Sequence, residues 1–157
     1  MEDTPFLVET GFEGKKIKVD MNSTLAIDDS SPDALADQLR ENPKYMFYWG
    51  SLCEYATKRH KEIENEFKVW YADRYREAKE ELLDNGGVTK SKLTESMVQN
   101  VVINNNKEEW NKYQKSLNKW SYRMGILSHA AKAYKAKGDS LINLLSYHKK
   151  TYEQEEV

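Results

Sequence analysis

The sequence predicts an all-α fold: a long antiparallel helical hairpin, similar to a coiled coil, with short accessory helices and a small irregular or β-hairpin N-terminal arm. Two long segments, 43–83 and 107–150, carry apolar residues at spacings of three and four, which places their side chains on one helix face. A turn and a short helix separate the segments, so each apolar stripe has a partner to pack against. We expect the arm to cover 1–31 and the helical hairpin domain 32–157.

The N-terminal arm is predicted from two short apolar pieces, PFLVE and KIKVDM, which glycines separate. A short helix is expected over 32–42, because Ser31 is a helix-capping residue and Pro32 suits the first helical position. Pro43 is expected to end this helix, since proline lacks the N–H that a helix interior needs.

The first long helix is predicted from Pro43 to about Leu83, where Asn-Gly-Gly at 85–87 supplies a turn. Its apolar residues recur on one face, which is typical of a helix that packs along its whole length. This packing stripe consists of Tyr45, Trp49, Leu52, Ala56, Ile63, Phe67 and Trp70.

A short helix, ESMVQNVVI, is expected after Thr94, and the asparagines at 104–106 end it. The last helix begins at Lys107, and its packing stripe passes through Gly138 without losing phase. We therefore predict that the helix continues through Gly138 and that this glycine lets a neighbouring helix approach closely. The stripe consists of Trp110, Tyr113, Leu117, Trp120, Met124, Leu127, Ala131, Tyr134, Gly138, Leu141 and Leu145.

Charge is unevenly distributed along a chain whose formal net charge is only −2. Residues 1–42 hold 4 basic and 10 acidic residues, whereas 107–150 hold 10 and 3. This asymmetry favours either a basic binding face or its neutralisation by the acidic arm. The single cysteine, Cys53, and the lack of a signal or transmembrane pattern favour a reducing, cytoplasmic location without a membrane partner.

Patterns for enzymatic chemistry are missing from the sequence. No glycine-rich phosphate loop is present, and His60, His129 and His148 lie outside the spacings that place metal ligands on one helix face. The carboxylates between 62 and 81 alternate with basic residues, which is typical of a solvated, ion-paired helix surface. We expect a protein that is not an enzyme and has neither a cofactor nor a bound metal.

Two segments mix cations with aromatic rings: KVWYADRYREAK at 68–79 and KEEWNKYQKSLNKWSYR at 107–123. Cations for phosphates and flat rings for bases are what a sequence-tolerant single-strand binder needs. The tryptophans lie on the packing stripes and are more readily explained as core residues. Tyr71, Tyr75 and Tyr122 lie off the main stripes and are better candidates for stacking on bases.

Several segments resemble the phage recombination mediators of the UvsY type. They are FYWGSLCEYATKRHKEIENEFKVWYADRYREAKEEL, then KLTESMVQNVVINNNKEEW, then RMGILSHAAKAYKAKGDSLINLLSYHKK. The resemblance covers about 43–152, whereas the acidic N-terminal 42 residues match no part of the pattern. It places the family's basic segment on Lys68, Arg74 and Arg76, with Lys79 as an extension. It places the final-helix motif on Lys135, Lys137, Gly138, Leu141 and Leu145.

The resemblance implies a nonenzymatic helical protein that forms ring-like homo-oligomers and binds single-stranded DNA. Such mediators act in DNA recombination, repair and replication by helping to load a strand-exchange recombinase onto DNA coated by single-strand-binding protein. A phage-encoded chain would act in the host cell cytoplasm. The DNA-binding residues expected from this reading are Lys68, Arg74, Tyr75, Arg76 and Lys79.

A homo-oligomer is also expected because one hairpin leaves apolar residues uncovered. The predicted interface residues are Val101, Leu141, Ile142, Leu144 and Leu145. Two other functions explain the heptads equally well: a coiled-coil structural or assembly adaptor with no DNA role, and a DNA-independent chaperone-like scaffold.

Overall fold

The structure, a computed structural model, is all-α apart from one N-terminal hairpin and thereby confirms the predicted fold class. It describes residues 7–12, 15–84, 87 and 89–155. In chain order the elements are β1 (Leu7–Phe12), β2 (Lys15–Asp20), α1 (Met21–Leu25), α2 (Pro32–Asp84), α3 (Glu95–Asn105) and α4 (Lys107–Glu155).

Contacts group the chain into two compact units, and α2 and α4 contribute to both. Unit 1 contains 1–56 and 123–157, and unit 2 contains 57–122. The predicted division into an arm and a hairpin domain at residue 31 stays a prediction.

Unit 1 begins with an antiparallel β-hairpin, which is one of the two forms predicted for the N-terminal arm. Leu7 lies opposite Asp20, and Phe12 opposite Lys15. Helix α1, which was not predicted from the sequence, follows directly. Asp20 caps it: the Asn22 N–H donates to Asp20 Oδ1 at 3.0 Å, and the Thr24 hydroxyl donates to the Asp20 carbonyl at 2.9 Å.

Helix α2 continues through Pro43, so the predicted break at this residue is wrong. The buried residues Leu35, Asn42, Trp49 and Ala56 recur every seven positions on both sides of the proline. If the helix broke at Pro43, Leu35 and Asn42 would no longer continue the buried face that Trp49 and Ala56 form. A proline inside a helix costs about 3 kcal/mol, and burying a leucine offsets about 1.5–3 kcal/mol of that.

Helix α4 continues through Gly138, as predicted. In unit 1 it runs antiparallel to α2, because Asn42 contacts Tyr134 whereas Cys53, later in α2, contacts Met124, earlier in α4. Most of the predicted stripe residues are buried or half-buried, although Ala130 is more deeply buried than the predicted Ala131.

In unit 2, α3 packs on α2 through a small apolar cluster made by Ala78, Val98 and Val102. Thr94 caps α3, as predicted, by accepting a hydrogen bond from the Met97 N–H. Gly87 adopts a φ of 62°, the left-handed conformation expected in a glycine turn. Asn85 and Gly86, the rest of that predicted turn, lie outside the described residues.

Aromatic rings join α2 and α4 in unit 2. The Phe67 ring lies 5.4 Å from Trp110 and 5.5 Å from Tyr113, and the Trp70 ring lies 5.4 Å from Tyr113. Such pairs contribute about 0.5–1.5 kcal/mol each beyond area burial. They fix which face of α4 turns towards α2.

Candidate nucleic-acid interface

The predicted DNA-binding cations on α2 are engaged by neighbouring carboxylates. Lys68 pairs with Glu64 at 2.8 Å, Arg74 with Glu77 at 2.5 Å, and Arg76 with Asp73 at 3.3 Å. Each pair lies on one helix at a spacing of three or four residues, where opposite charges meet. Residues 64–81 hold 4 basic and 6 acidic residues, so this surface is not electropositive.

The predicted stacking residue Tyr75 is only half-exposed. It packs against the Ala78–Val98–Val102 cluster, and its ring lies 5.9 Å from that of Tyr71. Neither tyrosine therefore presents a free ring face comparable to that of an exposed residue. Lys79 is exposed, and the assignment of these five residues to DNA binding stays a prediction.

A second basic and aromatic surface lies on α4 within unit 2. Lys112, Lys115, Lys119 and Tyr122 are all exposed, and Tyr122 has 70% of its surface accessible. Their spacings of three, four and three place them within about 80° of one another at 3.6 residues per turn. We call these four residues the α4 stripe. It extends for about 15 Å at 1.5 Å per residue.

The α4 stripe faces away from α2, because Trp110 and Tyr113 occupy the opposite side of the helix and pack on Phe67. Helix α2 holds six ion pairs (37–40, 41–44, 59–62, 64–68, 73–76 and 74–77). The three lysines of the stripe take part in none of these pairs. Glu108 continues the stripe one turn earlier and partly offsets its charge at that end.

The α4 stripe joins exposed cations to one accessible ring, the combination that holds a phosphate backbone and a base together. The mixed composition of 107–123 and the position of Tyr122 off the packing stripe are visible in the sequence, but the predicted interface lies on α2. The missing signal was the spacing of the lysines, which separates them from the packing stripe of the same helix.

The predicted oligomer interface is only partly exposed. Leu141 is fully buried inside unit 1, with 0% of its surface accessible, and its assignment to a contact with another subunit stays a prediction. It lies on the α4 face that α2 already covers. Ile142 is 51% exposed, whereas Val101, Leu144 and Leu145 are half-buried. Ile142 is thus the predicted interface residue most available to a second subunit.

Comparisons with protein-family models, curated proteins and solved structures give no match to this chain. The resemblance to UvsY-type mediators therefore stays a prediction that depends on the quoted segments. Over the described residues, none of the helices is long and apolar enough to cross a membrane. Within the same part of the chain, no three histidine, cysteine or acidic side chains are grouped closely enough to hold a metal ion.

Proposed function

We propose that this protein is a single-stranded-DNA-binding recombination mediator whose DNA contact is the α4 stripe. The observation that supports this placement is the alignment of three exposed lysines with an exposed tyrosine, outside the ion pairs of α2. Phosphates attract the lysines, and a splayed base stacks on Tyr122. Duplex DNA keeps its bases paired and stacked, so it gains only the electrostatic part of this interaction.

The mediator role is inferred from the resemblance to the UvsY type. In this role a homo-oligomer brings several stripes to one strand, helps a strand-exchange recombinase to bind, and acts on DNA coated by single-strand-binding protein. Each stripe needs only modest affinity, because contacts after the first are intramolecular.

The alternative is a helical adaptor with no DNA role. The packing of α2 on α4 supports it equally well, because that packing needs no ligand. The two functions differ in whether the lysines of the α4 stripe bind phosphates.

Binding of a labelled single-stranded oligonucleotide, titrated over a range of salt concentrations, tests the proposal. The combined change Lys115→Ala and Lys119→Ala should weaken binding and reduce the slope of log K against log salt by about 1.4, or about 0.7 per lost phosphate contact. The matched control, Lys58→Ala with Lys61→Ala, removes two exposed lysines from α2 and should leave the slope unchanged.

The variant Arg74→Ala with Arg76→Ala tests the original placement on α2. If it alone reduces the slope at unchanged helicity and mass, the contact lies on α2 and the α4 stripe is wrong. If no variant matters because the unmodified protein does not bind at low salt, the adaptor function is favoured.

A further inference from the structure

Residues 21–42, which comprise α1, the following loop and the part of α2 before Pro43, lie on α4 within unit 1. Two polar side chains hold the loop. Lys137 Nζ donates to the carbonyls of Thr24 at 3.1 Å and Ala26 at 2.7 Å. Gln38 donates to the Asp28 carbonyl at 2.7 Å and accepts from the Asp28 N–H at 3.1 Å. Each such bond contributes little net stability, because water competes for the same groups.

The stability that Lys137 gives to the docked segment is further limited by desolvation. Burial lowers the pKa of its ammonium, which means that docking removes the charge from some of its water. Met21 and Leu35 are its buried apolar residues, and Leu25, Ile27 and Leu39 are half-buried.

The junction at Asn42 and Pro43 is a weak point in the hydrogen bonding of α2, although the Asn42 Nδ2 donates to the Tyr134 carbonyl at 2.9 Å. Pro43 has no N–H to donate to the carbonyl of Leu39, so one link of the helical ladder is missing. Asn42 is 97% buried, yet its Oδ1 accepts from no described residue. The Leu39 carbonyl without its helical donor and the unpartnered Asn42 Oδ1 together lower the cost of separating the helix here.

Packing along the edge of this segment is also incomplete. An open cavity of about 320 Å³ borders Gln38, Asn42, Tyr134 and Lys137. Another, of about 290 Å³, separates Met21 from Ala133 of α4. Gaps of this size forfeit the dispersion contacts that hold well-packed elements together.

We propose that residues 21–42 form a lid that opens as one unit about Asn42 and Pro43 and controls access to the Gly138–Leu141 face of α4. Closed, the lid places Asn42 over Gly138 and, in the antiparallel register of α2 and α4, runs along the face that carries Leu141, which has 0% of its surface accessible. Open, it exposes Gly138 and Leu141, whereas Tyr134 stays stacked on Tyr45 and Trp49, which lie beyond the lid. The lid acts within unit 1 and does not depend on the proposed DNA contact.

Hydrogen exchange of the full chain, followed by mass spectrometry, tests the lid. Amides at 34–41 should exchange faster than amides at 46–55 of the same helix, because only the former open locally. Pro43→Ala restores the missing N–H and should slow exchange at 34–41 by about tenfold or more, since a proline inside a helix costs more than the 1.4 kcal/mol that corresponds to tenfold. It should leave 46–55 unchanged.

Two matched leucines provide the control. Leu35→Ala should accelerate exchange at 34–41 alone, whereas Leu52→Ala, at a buried position beyond the proline, should accelerate exchange at 46–55. Equal exchange in both segments, or equal acceleration by Leu35→Ala, would show that α2 opens as a single piece and would overturn the lid.

Access to the covered face is measured separately by thiol labelling. A Leu141→Cys variant, made on a Cys53→Ser background, should react slowly and at a rate set by opening. Adding Pro43→Ala should slow its labelling by the same factor as the exchange at 34–41. Labelling that ignores the state of residue 43 would show that the lid does not control this face.

Discussion

The side-chain amide of Asn42 lies directly over Gly138, and a Cβ added at that glycine would be 2.7 Å from Asn42 Nδ2. The same amide donates to the Tyr134 carbonyl at 2.9 Å. Asn42 therefore lies closer to the α4 backbone than it could if residue 138 carried a side chain.

Gly138→Ala should destabilise unit 1 by about 1–2 kcal/mol, because the overlap with Asn42 outweighs the better helix propensity of alanine. Gly125→Ala is the matched control on the same helix. Nothing lies within 4 Å of the Cβ position there, so alanine should stabilise by about 0.5–1 kcal/mol. Urea unfolding measures both effects, and equal stabilisation by the two variants would contradict the close approach.

The difference between the predicted and observed helices has a physical cause. The phase of the α4 stripe across Gly138 could be read directly from the sequence, because a glycine only weakens a helix. The break predicted at Pro43 was wrong, because the local cost of a proline competes with the burial of Leu35 and Asn42. These two residues pack against a helix about ninety residues away in the sequence. Only the tertiary partner decides between them.

In the candidate site, too, the features set by sequence spacing could be predicted, whereas those set by tertiary packing could not. Ion pairs such as Arg74 with Glu77 follow from sequence spacing, and they already limited the free charge on α2. The burial of Tyr75 does not follow from spacing, because it depends on where α3 returns to α2. Tyr122 was correctly separated from the packing stripe and is exposed.

Leu141 and Ile142 should respond differently to the same substitution. Leu141→Asp buries a charge inside unit 1 and should cost about 4 kcal/mol or more, seen as loss of cooperative thermal unfolding. Ile142→Asp alters an exposed position and should change the free energy of unfolding by less than about 0.5 kcal/mol. If Ile142 lies between subunits, light scattering should show a smaller mass for the second variant at unchanged helicity. An unchanged mass would remove Ile142 from the interface.

Alkaline pH should destabilise unit 2 through Tyr71. Burial raises the pKa of its phenol above the ordinary value of 10.0, and Tyr75 and Glu95 add to the effect. The folded state therefore keeps its proton longer than the unfolded state, so the free energy of unfolding falls as pH rises through about 10 towards the higher folded pKa. Urea midpoints measured across this range should fall less steeply for Tyr71→Phe. An equal fall in the urea midpoint for Tyr71→Phe and the unmodified protein would contradict the prediction.

Tyr122 separates base stacking from charge attraction in the proposed DNA contact. Tyr122→Leu should weaken single-strand binding by about 1–3 kcal/mol if one base stacks on the ring in each subunit. The salt slope should stay the same, because no phosphate contact is lost. Tyr122→Phe keeps the flat ring and should bind almost as tightly as the unmodified protein. If leucine and phenylalanine bind equally well, the ring does not stack on bases, and the lysines of the α4 stripe hold the strand by charge alone.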